Sequence, residues 1–182
     1  MEIFDLYDGE RKRTGRTMVR GTIVPEGYYR LVLHICIFNS KGEMLIQQRQ
    51  PFNRGWPGLW DLSLGGSVSQ GETSRIAAER ELAEELGLQY DFSEKVPALT
   101  VSFHDGFDDV YILHMDVSVS DLTLQESEVR AAKWARRDEI MEMIEERSFI
   151  PYEKHFIDYL FFLKDRQSTH TESDKRNYNS EI

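Results

Sequence analysis

Three glutamates, Glu81, Glu84 and Glu85, lie close together in the segment GETSRIAAERELAEELGL, residues 71–88. Because an α-helix turns about 100° per residue, these carboxylates share an arc of roughly 100° if the segment is helical. Their mutual repulsion favours protonation of some of them unless a cation binds. Carboxylate oxygens on one helix face suit Mg²⁺ or Mn²⁺. The alternative is an ordinary acidic surface helix that faces solvent.

The local sequence predicts this helix over residues 73–86. Thr73 is a suitable N-cap residue, and Gly87 is a suitable residue to end the helix. Ala77 falls within the arc of the carboxylates, one turn earlier, where its small side chain leaves room beside them. The remaining apolar side chains are expected to pack against a sheet, and they are Ile76, Leu82, Ala83 and Leu86.

Strand patterns surround the helix and must position it. Apolar and β-branched runs predict strands at 1–8, 31–39, 44–49, 62–68, 98–106, 109–120 and 129–135. A loop rich in Pro, Gly and Trp covers residues 50–61, and terminal helices are predicted at 136–148 and 152–164. Strands before and after a helix, followed by further helices, indicate a mixed α/β fold with helices packed on a central sheet.

The residues that flank the glutamates make the helix more specific than its charge alone. Together they read G-x5-E-x7-R-E-U-x-E-E-x-G-U, where U is apolar, and the matching residues are Gly66, Glu72, Arg80, Glu81, Leu82, Glu84, Glu85, Gly87 and Leu88. From average residue usage, a chance match in this chain has a probability on the order of 10⁻⁷.

This pattern resembles the signature of the Nudix superfamily, whose members cleave compounds in which a nucleoside diphosphate is linked to another moiety. NSKGEMLIQQR, WPGLWD and KWA also resemble this family, so the resemblance spans about residues 25–137. It implies an α/β/α sandwich with a mixed central sheet, in which the signature, or Nudix box, forms a loop–helix–loop. It also implies hydrolysis of a diphosphate by attack of water on phosphorus.

The resemblance also implies roles for individual residues. Glu81, Glu84 and Glu85 bind a divalent metal together with the main-chain carbonyl of Gly65. Arg80 pairs with Glu72 and holds helix and loop in register. The general base stays open, with Glu81 and Glu84 as candidates inside the box and Glu126 or, preferably, Glu128 outside it.

Basic and aromatic residues outside the box are candidates for substrate contacts. A diphosphate needs cations opposite the acidic wall, and Arg49 and Arg54 flank the loop before the box. Arg20, Arg30 and Trp56 complete the candidate set, and Trp60 is the alternative to Trp56 for stacking a base, unless these tryptophans only pack within the loop. Arg20 belongs to a basic segment, residues 11–20, that is either a solvated loop or hairpin or an arm facing phosphate. His34, His104 and His114 are expected to be structural.

The segment before the box also resembles the isopentenyl-diphosphate isomerase branch of the superfamily. That branch requires a catalytic cysteine where this chain has Gly65, and metal-binding histidines where it has Ser67 and Arg30. Cys36 lies in a predicted buried strand and does not replace that cysteine. We therefore interpret the chain as a hydrolase, with an isomerase and a non-catalytic binding module as alternatives.

Composition limits the remaining possibilities. The 182 residues carry a net charge of −10, which disfavours general nucleic-acid binding. We expect one domain over 1–164, with a core at 25–137, an N-terminal strand and basic segment at 1–24, C-terminal helices at 138–164 and a disordered tail at 165–182. The single Cys36, the acidic N-terminus and the lack of a long apolar segment favour a cytoplasmic protein without membrane contact. Both a monomer and a homodimer remain open.

Overall fold

The computed structural model describes residues 2–166, and three helices and nine strands are found in that part of the chain. The strands are β1 Ile3–Tyr7, β2 Arg13–Val19, β3 Arg30–Phe38, β4 Met44–Arg49, β5 Trp60–Asp61, β6 Leu64–Ser67, β7 Leu99–Phe103, β8 Gly106–His114 and β9 Val129–Ala135. The helices are α1 Ser74–Leu86, α2 Arg137–Glu145 and α3 Lys154–Leu163.

The central sheet is mixed and splits around β3 and β4. Strand β3 pairs with β8 in parallel and with β6 in antiparallel orientation, and β7 extends the sheet beyond β8. Strand β4 pairs with β9 and β5, and it meets β3 only at the hairpin, where Phe38 lies opposite Met44. The two halves therefore diverge after the hairpin.

Apolar side chains alternate between the two faces of the sheet. Leu33, Ile35 and Ile37 of β3 pack in one cluster with Leu82 and Leu86 of α1. Cys36 and Phe38 belong to a second cluster with residues of the other two helices, including Ile140, Ile157 and Leu160. One helix on one face and two on the other form the expected α/β/α sandwich.

Helix α1 begins and ends as the sequence predicts, but its rotation differs from the prediction. The Thr73 side chain accepts a hydrogen bond from Ile76 N, and Gly87 adopts φ 68° at the other end. Ile76 is 52% exposed and Ala83 is also exposed, so the expectation that they pack against the sheet is wrong. Ala77 and Glu85 are buried instead, so one of the three glutamates lies on the packed side.

The basic N-terminal segment forms a hairpin, since β2 pairs with β1 in antiparallel orientation. Most of its cations contact residues of this protein. Arg11 binds buried Asp109 at 2.7 Å, Arg13 lies 3.3 Å from Asp5, and Arg16 lies over the Tyr28 ring. These contacts support the hairpin alternative for residues 11–19.

Several element bounds differ from the prediction. Residues 119–121 form a 3₁₀ turn rather than the end of a strand, and two residues of the 50–61 loop form β5. Helix α3 buries Ile157, Leu160 and Leu163, which supports a core role for this aromatic-rich helix. The tail prediction falls largely outside the described residues.

None of the helices within residues 2–166 has the length and apolar character needed to span a membrane.

Candidate functional site

A cavity of about 910 Å³ contains most of the candidate site residues. The carboxylates that line it include those of Glu81, Glu84 and Glu85 on α1 and that of Glu128 before β9. Besides Arg80 of α1, three arginines line the same cavity, and they are Arg20, Arg30 and Arg49. One cavity therefore combines an acidic helix with cations from the hairpin, β3 and β4.

Each of the two glycines of β6 leaves room for a neighbouring side chain. A Cβ atom at Gly66 would lie 2.6 Å from the Glu81 carboxylate carbon, so only glycine leaves room for this carboxylate. A Cβ atom at Gly65 would lie 2.8 Å from the His34 ring. A cysteine at this position, as in the isomerase branch, would displace His34.

Arg80 connects the helix to the preceding loop. Its guanidinium donates two hydrogen bonds to Glu72, at 2.9 and 3.0 Å, and a third to the Ser67 carbonyl at 3.2 Å. The predicted ion pair between Arg80 and Glu72 is thus present. The Arg80 hydrogen bonds lower the pKa of Glu72 more than its partial burial raises it. Arg80 also lies 3.0 Å from Glu81 and 3.3 Å from Glu84.

Burial raises the pKa of two of the three glutamates of the box. Burial raises the pKa of Glu85 to about 8, against a hydrogen bond donated by the Gln47 amide at 3.0 Å, and the neighbouring Glu81 adds to the rise. Burial also raises the pKa of Glu81, with Arg80 opposing the rise. The easier protonation predicted for some of these glutamates is therefore present as a raised pKa, but desolvation contributes more to it than repulsion between like charges.

The donor set fits a hard divalent cation. Glu85 is buried and Glu81 half-buried beside a glycine strand that no Cβ atom fills, which suits an ion with oxygen ligands. Among residues 2–166, however, no three acidic, His or Cys side chains are already placed to hold a metal ion together. Arg80 already contacts Glu81 and Glu84, and Gln47 donates a hydrogen bond to Glu85. Metal binding therefore requires these contacts to rearrange.

Glu128, the candidate base outside the box, lies in the cavity and is held by its neighbours. The Asn53 amide donates to a Glu128 carboxylate oxygen at 3.2 Å. The segment before Glu128 also binds the end of α1, because Thr123 N donates to the Leu86 carbonyl and Gln125 N to the Glu85 carbonyl. Glu126 is not among the residues that line the cavity.

The other residues predicted to contact the substrate lie in different places. Trp56 lines the main cavity and is 52% exposed. Arg54 lies in an adjoining cavity of about 680 Å³, which shares Arg20, Arg30 and Arg49 with the first. Trp60 lies under Lys133, whose ammonium is 5.0 Å from the ring centroid, so its contact is a packing contact.

Sequence reasoning missed the opposite wall of the cavity. His34 was expected to be structural, yet its Nδ1 lies 2.7 Å from Asp108 and its Nε2 lies 3.2 Å from the Tyr152 hydroxyl. That hydroxyl donates to Asp61 at 2.8 Å, and all four residues line the cavity. Burial opposes charge on His34, but the Asp108 charge and hydrogen bond outweigh it and raise the His34 pKa.

The fold and this site define a class of enzyme. A NUDIX domain model matches residues 28–160, and the chain belongs to the NUDIX family. The general activity of the Nudix hydrolases is cleavage of pyrophosphate bonds.

Individual proteins show how far the similarity extends. An uncharacterised Nudix hydrolase of Listeria monocytogenes is 45% identical over 170 residues, which cover 93% of this chain and 99% of that protein. The isopentenyl-diphosphate Δ-isomerase of Brevibacterium linens is 30% identical over 114 residues, 60% of this chain and 63% of the isomerase. A crystal structure from Deinococcus radiodurans superposes with a TM-score of 0.72 at 22% identity, covering 87% of this chain and 99% of that one.

Proposed function

We propose that this protein is a Mg²⁺- or Mn²⁺-dependent hydrolase that cleaves the diphosphate linkage of a nucleoside diphosphate or of a compound linked to one. The observation that carries the proposal is that the cavity places the three box glutamates and the three arginines around one space. A diphosphate with a divalent cation satisfies both sets of charges, since the ion contacts the carboxylates and the phosphate oxygens contact the arginines.

The metal ligands in this proposal are Glu81, Glu84, Glu85 and the main-chain carbonyl of Gly65. When bound, a divalent ion supplies neutralising charge to phosphate oxygens and makes a nearby water more acidic. Arg80 supports the ligands indirectly, because it fixes α1 to Glu72 and to the Ser67 carbonyl.

The protein residues then carry the chemistry. Arg20, Arg30 and Arg49 orient the diphosphate, and a glutamate carboxylate oxygen accepts a proton from the attacking water. A bond forms between the water oxygen and phosphorus as the bridging P–O bond breaks, and the bridging oxygen leaves with the other product. The base is Glu81 or Glu84 in the box or Glu128 outside it, and the Asn53 contact holds Glu128 in the cavity.

The residues at three positions argue against the isomerase alternative. Gly65, Ser67 and Arg30 stand where that branch has its cysteine and two histidines. Cys36 is fully buried, and burial raises the pKa of its thiol, so it does not replace the missing group. The complete set of box glutamates also argues against a binding module without catalysis.

The test is a hydrolysis assay with Mg²⁺ and a panel of diphosphates. The panel contains nucleoside diphosphates, nucleoside diphosphate sugars, dinucleoside polyphosphates and coenzyme A, and the assay measures released phosphate or nucleotide. We expect at least one compound to be cleaved, with ¹⁸O from labelled water in a phosphate product, and Glu85→Gln to lower cleavage on the order of 10³-fold.

Glu79→Gln is the matched control, since Glu79 lies on the same helix but its Oε1 accepts a hydrogen bond from Phe92 N, outside the cavity. The proposal fails if no compound is cleaved, or if the two variants behave alike. Proton exchange into an allylic diphosphate without hydrolysis would establish the isomerase instead.

A further inference from the structure

The main cavity extends past Gly65 onto the sheet face opposite α1. This end of the cavity is a recess, which we call the Asp108 recess. It is lined by Val32, Val101, Phe103, Asp108, Tyr152 and Phe156. Asp108 lies between two valines, because it is opposite Val32 on β3 and opposite Val101 on β7. The recess thus places one carboxylate among apolar and aromatic walls.

Asp108 has an unused hydrogen-bond acceptor. Its Oδ2 lies 2.7 Å from His34 Nδ1, while its Oδ1 is buried and has no hydrogen-bond partner among residues 2–166. Leaving a buried acceptor unpaired costs about 1–3 kcal/mol, and more when the group is charged. Because Oδ1 itself has almost no solvent contact, a ligand in the recess reaches it only after a rotation of the Asp108 side chain, and a donated hydrogen bond then removes this penalty.

The walls of the recess suit a flat ring. The ring centroids of Tyr152 and Phe156 lie 5.7 Å apart with an interplanar angle of 35°, and Phe103 of β7 also lines the recess. Tyr152 is held by its hydrogen bond to Asp61, so this wall is ordered before a ligand binds. The Arg30 guanidinium lies 5.3 Å from the Phe103 ring centroid and links the recess to the arginines of the proposed phosphate site.

We infer that the Asp108 recess binds the organic group of the diphosphate substrate, and that this group is a heterocyclic base with an amino group that donates a hydrogen bond to Asp108. The inference rests on the proposed function. A carbonyl in place of the amino group would set two acceptors against each other. A prenyl chain would cover Asp108 and leave it desolvated without a donor.

Two matched ligand pairs test the inference without depending on catalysis. We suggest the α,β-methylene analogues of CDP and UDP, and of ADP and IDP, because within each pair a carbonyl replaces the amino group while the adjacent ring nitrogen gains a hydrogen. Their dissociation constants are measured by calorimetry with Mg²⁺ on the wild type, Asp108→Asn and Asp109→Asn. Asp109 is the control, since it is the next residue but binds Arg11 and Ser74 outside the cavity.

We expect the amino member of at least one pair to bind about tenfold more tightly to the wild type. Asp108→Asn should reduce that ratio to near one, because a carboxamide both donates and accepts, and Asp109→Asn should preserve it. Equal affinities in both wild-type pairs, or an equal loss in the two variants, would overturn the inference.

A second variant and a third ligand separate the recess from the phosphate site. Val101→Phe narrows the recess without changing a charge, and it replaces Asp108→Asn as the test if that variant does not fold. Both variants should leave the affinity for inorganic pyrophosphate unchanged, since this ligand has no organic group. A loss of pyrophosphate binding in both would show that Asp108 and Val101 support the fold of the site only. Failure of the proposed function would appear separately, as absent hydrolysis.

Discussion

Two charged segments of this protein look alike in the sequence and differ in the structure. The basic segment of the N-terminal hairpin carries Arg11, Lys12, Arg13, Arg16 and Arg20, and the acidic helix α1 carries its glutamates at similar density. In the hairpin, Arg11 reaches Asp109 on β8, and Arg13 donates to the Glu72 carbonyl and lies beside Asp5. Only Arg20 of these five residues lines the main cavity.

The acidic helix has fewer protein partners for its charge. Arg80 is the one cation of the helix that contacts Glu81 and Glu84 in the described residues, and it also binds Glu72. Glu85 has an amide rather than a cation as its hydrogen-bond donor. The fold thus supplies opposite charges for the cations of the hairpin, whereas α1 has more carboxylates than cations around it, and for this reason we propose a cationic ligand at α1.

The largest expected effect is on the acidic helix. Glu85→Gln should lower kcat on the order of 10³-fold, because it removes a metal ligand. The metal-free variant should be at least as stable as the wild type, since an amide replaces a buried carboxyl whose charge is disfavoured. Initial rates with Mg²⁺ and urea unfolding in EDTA check both statements. An unfolded variant would show that Glu85 supports structure.

Arg80→Lys should have the next largest effect. A lysine cannot donate two parallel hydrogen bonds to Glu72, so α1 loses its fixed register with the loop. We expect Mg²⁺ affinity and turnover to fall roughly 10–100-fold. Calorimetric titration with Mg²⁺ and steady-state rates measure the two losses, and unchanged metal affinity would contradict the supporting role.

Arg20→Ala should separate the one cavity-lining cation of the basic segment from the others. We expect KM for the cleaved diphosphate to rise about tenfold with a small change in kcat, because a phosphate contact is lost. Lys12→Ala is the control, since Lys12 pairs with Glu10 on the exposed surface. Equal KM values in the two variants would remove Arg20 from the substrate site.

Arg11→Ala should affect stability alone. It leaves the buried Asp109 carboxylate without its cation, although the Ser74 and Thr100 hydroxyls still donate to it. We expect the free energy of unfolding to fall by about 1–3 kcal/mol, with kcat/KM unchanged. Urea titration with parallel rate measurements tests this expectation. A changed kcat/KM would mean that the hairpin contributes more than Arg20 to the site.

The smallest effect concerns pH. The pKa of Glu72 is lowered in the folded protein by Arg80, so the pair stabilises the fold above the ordinary value of 4.5 and loses that stabilisation as pH falls below it. As pH falls below about 5, the free energy of unfolding of Glu72→Gln should therefore decrease less than that of the wild type. The difference should be small, because the Glu72 side chain is partly exposed. Thermal unfolding across this range, with exposed Glu94→Gln as the control, measures the difference.

The box and the sheet were predictable because their signals are local. Thr73 and Gly87 mark the ends of α1 by their own backbone preferences, and the strand at 129–135 was predicted with its observed bounds. The rotation of α1 was not predictable in this way. Glu85 shares the buried side with Leu82 because the split of the sheet leaves Gln47 beside it, and that contact joins residues 38 positions apart.

The residues that form the opposite wall of the cavity were also not predictable from the local sequence. Asp108 and Val101 reach the recess through strand pairing, and Tyr152 reaches it from the segment before α3. An aspartate in a strand and a tyrosine before a helix are ordinary residues in sequence. Their common position in the recess depends on the register of β3, β7 and β8, which the local sequence does not predict.

The contact between the end of α1 and the segment before Glu128 also limits how the chain length can vary. Thr123 lies against Gly87, where a Cβ atom would be 2.7 Å away, and the main chain of residues 123 and 125 binds the last two carbonyls of the helix. Between this anchor and β9, Glu128 N and Val129 N both donate to the Gln125 carbonyl, and Gln50 N donates to the Glu128 carbonyl. A one-residue insertion at 125–128 would move Glu128 out of the cavity, whereas the turn at 40–42 joins two strands away from the cavity and tolerates added length.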